Sequence, residues 1–118
     1  MSYVDGFVIP IPKKNLPAYR KMAKLGCKVW MDHGALDYRE CIGESLDTTF
    51  GMSMTKLTKA KAGETVVFAW ITYKSRKHRD RVNAAVMKDK RMAAAMTGKM
   101  PFDIKRMANG GFAGFVEA

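Results

Sequence analysis

Asp5, Glu40 and Arg106 each fall inside a segment patterned like a β-strand. A charge in a strand interior is costly to bury unless it is paired. Asp5 and Glu40 could therefore shape a polar pocket, with Arg106 holding an anionic group of a substrate, and all three are catalytic candidates. The plainer reading is a structural ion pair or hydrogen-bond network that fixes strand register or a dimer contact. His33 joins the catalytic candidates, because an imidazole at a helix end can act as general acid, general base or haem ligand. Its plainer role is to meet the last carbonyls and the dipole of that helix. His78, set among Arg76, Lys77 and Arg79, reads as part of a solvated helix face.

Other residue groups point to binding rather than reaction. Trp30, Tyr38, Phe68 and Trp70 could line an apolar ligand pocket, or simply fill the core. The run from Lys74 to Arg91 is basic, and Arg76, Lys77, Arg79 and Arg81 could follow a phosphate backbone. No tyrosine or phenylalanine interleaves with those charges, so a base-stacking platform is missing and a solvated face is the simpler reading. Cys27 and Cys41 form no Cys-x-x-Cys pair, and no histidine cluster completes a metal set, so no metal and no cofactor are expected. They read as reduced thiols, Cys41 as a buried inert one, which places the chain in a reducing, cytoplasmic compartment. Gly110-Gly111 is not followed by a helix pattern and is no phosphate loop; a bulge or a close backbone approach explains it better.

The elements that must position these side chains can be read along the chain. With 118 residues and 47% hydrophobic content, one ordered domain is expected, and no apolar run is long enough to span a membrane. The N-terminus has no signal-peptide pattern. Lys and Arg number 21 against 11 acidic residues, a net +10 that suits an acidic partner or merely a soluble surface. Tyr3 to Pro10 alternates as a strand. A helix follows, with Asn15 as its N-cap, an apolar face through Tyr19, Met22, Ala23, Gly26, Val29 and Trp30, and Gly34 closing it. Ala35 to Glu44 is a second strand, and residues 45–63 fit a loop with a short strand or helical turn. Thr65 to Tyr73 is a strand apolar on both faces. Ser75 caps a second long helix to about Asp89, a short helix spans Arg91 to Thr97, and Arg106 to Val116 is the last strand.

The order is βαββαβ, an α+β, ferredoxin-like plan of a four-stranded antiparallel sheet with two helices on one face. The other face, apolar along the third strand, needs a cover, and a second copy of the chain is the economical one.

Tyr3-Val4-Asp5-Gly6-Phe7-Val8, Ala18-Tyr19-Arg20, Gly34-Ala35-Leu36, Glu40-Cys41, Val66-Val67-Phe68, and above all Met100-Pro101-Phe102-Asp103 running on through Lys105-Arg106-Met107 to Gly110-Gly111-Phe112 form a set of segments. Together they resemble the YbaA-like family of uncharacterised bacterial proteins. The resemblance spans nearly the whole chain. It implies a ferredoxin-like domain that pairs into a dimeric α/β barrel, and it implies no activity. Three functional readings stay open: a homodimer binding a small organic molecule between sheet and helices, a cofactor-independent monooxygenase or isomerase, and a nucleic-acid or acidic-partner binder using the basic helix.

Overall fold

The computed structural model describes residues 1–118. Strands β1 (Tyr3–Pro12), β2 (Asp37–Ile42), β3 (Glu64–Tyr73) and β4 (Ala108–Ala113) form one antiparallel sheet in the order β2-β3-β1-β4. Helix α1 (Leu16–Asp32) joins β1 to β2. A single short turn of helix, α2 (Met54–Thr58), interrupts the β2–β3 connection, and α3 (Arg76–Lys88) with α4 (Lys90–Ala95) joins β3 to β4. This is the ferredoxin-like α+β plan that the alternating segments imply.

Cross-strand pairing decides which side chains share a face. Asp5 lies opposite Ile71, Phe7 opposite Ala69 and Ile9 opposite Val67; across β3, Tyr38 meets Ile71 and Glu40 meets Ala69. These residues point toward the helices. Ile71 and Tyr73 pack with Val29 of α1, Val82 and Val86 of α3 and Met92 of α4, while Ile9, Ile11, Val67 and Ala69 pack around Tyr19. Val4, Val8, Phe68, Trp70 and Phe112 occupy the opposite face, where Phe68 is 45% and Phe112 61% exposed. Toward one end of that face Pro10 and Val66 are buried, because α2 packs against β1 and β3.

Three local departures from the sequence pattern have physical causes. The first strand runs on through Pro10 to Pro12, although proline has no N–H to donate. Lys13 donates toward β3, at Gly63, so Pro10 and Pro12, of opposite parity, face the β4 side. There β4 has already ended, at the Ala108–Val8 pair, and no hydrogen bond is forfeited. Asn15 precedes α1 but does not cap it with its side chain; its Nδ2 donates to the Pro101 carbonyl at 2.8 Å and ties the approach to β4 onto the start of the helix. The last strand begins at Ala108, not Arg106, because Asp103 caps a 3₁₀ turn over Ile104–Arg106. The second strand is shorter than its pattern, Asp37–Ile42, and the last ends at Ala113 rather than Val116, while the cap signals at Gly34 and Ser75 hold. Gly34 follows α1 at φ +107°, and the Ser75 hydroxyl accepts from the His78 N–H at the start of α3.

Candidate functional site

Between the helix-facing side of the sheet and α1, α3, α4 and the segment leading to β4 lies a cavity of about 610 Å³, the size of a small-ligand site. Phe7, Trp30 and Phe102 contribute aromatic wall. Met22, Met87, Met92, Met96, Met100 and Met107, six of the chain's ten methionines, line it as well. Thioethers on flexible stems are soft and polarisable, and they adapt to irregular apolar shapes. Met87, Met96 and Ile104 are exposed and form the rim.

Polar groups gather at two places on this wall. At the first, Glu40 of β2 accepts hydrogen bonds from two tyrosines: Tyr38 donates to Oε2 at 2.8 Å, and Tyr19 of α1 donates to Oε1 in a short contact. Tyr38 reaches this position because residue 26 is glycine; a Cβ there would stand 2.9 Å from the Tyr38 hydroxyl. Burial, reinforced by the hydrogen bond to Glu40 and the charge of that carboxylate, drives the Tyr19 hydroxyl far above the ordinary phenol range. Burial, followed by the charge of Glu40, does the same to Tyr38. Both tyrosines therefore stay protonated, with their protons committed to the carboxylate.

At the second, Asp5 of β1 is paired with Arg79 of α3 at 2.7 Å, and Asn83 donates to its other oxygen at 3.4 Å. The Asn83 carbonyl in turn accepts from Trp30 Nε1 at 3.0 Å and from Tyr73 at 3.2 Å. Burial and the Asp5 charge hold the Tyr73 hydroxyl above its ordinary range. Arg79 also bonds Asp80 at 2.7 Å and lies 5.0 Å over the Tyr3 ring. That ring occupies the space above Gly111, where a Cβ would collide with it, so it is a side chain that approaches Gly111 closely, and the pairing through Gly110-Gly111 is regular, without a bulge.

The structure thus brings Asp5, Glu40, Trp30 and Tyr38 to one cavity. Arg106 is elsewhere. Its guanidinium bonds both oxygens of Glu64 at 2.8 Å and the Lys59 carbonyl at 3.1 Å, so it is not the anion holder of this pocket. His33 lies outside too, its Nε2 2.8 Å from Asp89, the residue that caps α4. Phe68 and Trp70 stand on the far face of the sheet, with ring centroids 5.5 Å apart. Of the basic quartet, Arg76, Lys77 and Arg81 are exposed, whereas Arg79 is engaged with Asp5 and Asp80 and is not free to meet a phosphate. His78 is buried rather than solvated; its Nδ1 accepts from the Lys74 N–H at 2.9 Å and its ring meets Tyr73 edge-on. Cys41 is exposed rather than buried, because it points away from the helices on an edge strand.

Tyr19 and Asn83 are site residues that sequence reasoning missed, and Arg79, expected to follow a phosphate backbone, belongs to this site instead through Asp5. The signal for Asn83 and Arg79 was present: Arg79, Val82, Asn83 and Val86 share one face of α3, so two polar residues sit on its buried side. No group of histidine, cysteine and carboxylate side chains is placed to hold a metal ion.

Comparison with known proteins agrees with this architecture. Among solved structures, a NIPSNAP domain protein from Burkholderia xenovorans superimposes with TM-score 0.63 at 14% identity, covering 98% of this chain and 97% of its own. Rv0793 from Mycobacterium tuberculosis gives 0.59 at 15% identity over 100% and 99%. A putative antibiotic biosynthesis monooxygenase from Nitrosomonas europaea gives 0.59 at 14% over 96% and 89%. These share the fold. In sequence, the chain is 38% identical over 117 residues to the uncharacterised protein YbaA of Escherichia coli K12, and to that of Shigella flexneri, covering 99% of each partner. A family described as protein of unknown function (DUF1428) matches residues 2–104, and the chain belongs to that family.

Proposed function

We propose that this protein binds a small, mainly apolar organic molecule in the cavity between sheet and helices. The observation that carries the reading is the wall itself, six methionines and three aromatic rings around a carboxylate that holds two tyrosine protons. An apolar enclosure with a few convergent polar groups is the usual form of a small-molecule site. The Nitrosomonas europaea protein is named for a monooxygenase activity, and its likeness supports a shared scaffold on which such a cavity can be built, not a shared reaction.

The same reading pairs two chains through their open sheet faces. Val4, Val8, Phe68, Trp70 and Phe112 make an apolar surface around Gly6 and Gly110, and a second copy would bury it. Two free cysteines fit a reducing, cytoplasmic setting. No helix is long and apolar enough to cross a membrane.

Native mass spectrometry of protein purified without denaturation tests the reading. A dimer is expected, carrying a reproducible extra mass that leaves on denaturation. A bare chain that also takes up no small aromatic probe would overturn the binding proposal, and a bare monomer would overturn the pairing.

A further inference from the structure

Glu40 has no cation beside it. Its two hydrogen-bond partners are the neutral hydroxyls of Tyr19 and Tyr38, each of which has spent its only proton on the carboxylate. What this corner can offer a guest is therefore made of acceptors: the remaining lone pairs of Glu40 and the lone pairs of two phenol oxygens. Of the two cations on the cavity wall, Arg79 is held at Asp5, whose backbone lies two strands across the sheet, roughly 12 Å from that of Glu40 by strand spacing. Arg79 is faced by two carboxylates, Asp5 and Asp80, both at 2.7 Å. Arg39, the other cation on the cavity wall, is largely solvated and turned to Asp37 at 3.4 Å. The chain carries +10 overall and the cavity lining balances Asp5 and Glu40 against Arg39 and Arg79, yet Asp5 and Arg79 are paired with each other and the Glu40 corner keeps an unneutralised carboxylate with no uncommitted donor.

We infer that the ligand is an uncharged or cationic aromatic or similarly apolar compound that presents an O–H or N–H to Glu40, and that carboxylates and other anions are excluded. The inference rests on the small-molecule reading above and narrows it. A guest hydroxyl or amine completes the carboxylate with a third charge-assisted hydrogen bond, while Trp30, Phe7 and the methionines enclose its apolar body. A guest carboxylate would face Glu40 across a poorly hydrated wall, where like charges repel strongly.

Three probes of matched shape separate the possibilities: 2-naphthol, its methyl ether and 2-naphthoate, titrated into the full-length protein and followed by calorimetry. A hydrogen bond to a charged partner is worth about tenfold in affinity or more, so 2-naphthol is expected to bind at least about tenfold more tightly than the ether. Naphthoate is expected to be the weakest of the three. In Glu40→Gln the preference for naphthol over the ether should shrink to a few-fold at most and naphthoate should gain. Tyr38→Phe, which frees a Glu40 lone pair without touching its charge, should keep the preference for naphthol. The wild-type series decides the matter even where a variant fails to fold. Equal binding of naphthol and ether, or preferred binding of naphthoate, overturns this inference while leaving a small-molecule cavity standing. No binding by any of the three overturns both.

Discussion

Glu40 and Glu64 show how one residue type takes two roles in one fold. Glu40 faces tyrosines in an apolar enclosure, whereas Glu64 is gripped by Arg106 through two 2.8 Å bonds and by the Lys61 N–H at 2.7 Å. The hydrogen bonds from Arg106 and then Lys61 hold the Glu64 carboxyl down, from an ordinary 4.5 to about 2. A pKa depressed by folding means that the ionised form favours the native state. The stability it adds is whole above about pH 4.5 and is lost as pH falls from there toward 2. Glu64→Gln should therefore lower the melting temperature at neutral pH, and its curve should approach that of the wild type as pH falls to 2. Parallel curves across that range would show that the pair adds no pH-linked stability. Asp5 and Arg79 form a second committed pair, on the cavity wall. Asp5→Asn leaves Arg79 with Asp80 alone, and with about a fifth of Arg79 exposed the expected cost is about 2 kcal/mol in urea unfolding. Adding Arg79→Met should recover part of that loss, because an apolar side chain needs no counter-charge. A double variant no more stable than Asp5→Asn alone would contradict this.

At the scale of elements, the cavity depends on how closely α1 lies over β2. Gly26 is the contact point, and helix propensity alone would reward Gly26→Ala by about 1 kcal/mol. Its new Cβ would stand 2.9 Å from a hydroxyl that is fixed on Glu40, so the variant should gain nothing in stability and should bind 2-naphthol more weakly. A full propensity gain with unchanged affinity would show that the close approach is dispensable. Ser75→Ala removes the α3 cap and should cost about 1 kcal/mol, measured by the same unfolding. The outlines of these elements were legible because strands and helices advertise their buried faces by pattern. Val66 to Ile71 is an unbroken apolar run, as a strand covered on both faces requires, and Tyr19, Met22, Gly26 and Val29 step along one helix face. The ends were less legible because they depend on partners. Arg106 reads as part of a strand until Asp103 caps a turn through it, and the turn delivers its side chain to Glu64 instead of the cavity. Residues 45–63 have weak period because α2 is one short turn of helix, capped by Ser53. Half of the site was legible in the same way. Asp5 and Glu40 stood out as charges in strands, whereas Tyr19 looked like ordinary core until folding set it against Glu40.

At the scale of the molecule, the sheet divides two kinds of apolar surface. One side, under the helices, encloses the cavity; the other is open, with Phe68 and Phe112 in reach of solvent. If the open faces pair, Phe68→Lys should convert a dimer to a monomer in sedimentation velocity while leaving the cavity able to bind 2-naphthol. A wild-type monomer at high concentration would contradict the pairing. The two surfaces are separated by the thickness of one sheet, so binding in the cavity and pairing of the faces can be measured independently. The central claim, that the methionine-lined space is where a ligand sits, is tested most directly by NMR of the protein with its methionine methyl groups labelled with carbon-13. The ten methionines divide cleanly, with Met22, Met87, Met92, Met96, Met100 and Met107 on the cavity wall and Met1, Met31, Met52 and Met54 away from it. Titration with 2-naphthol should shift the first set and leave the second in place. Shifts confined to Met1, Met31, Met52 and Met54, or no shifts at saturating probe, would contradict the account.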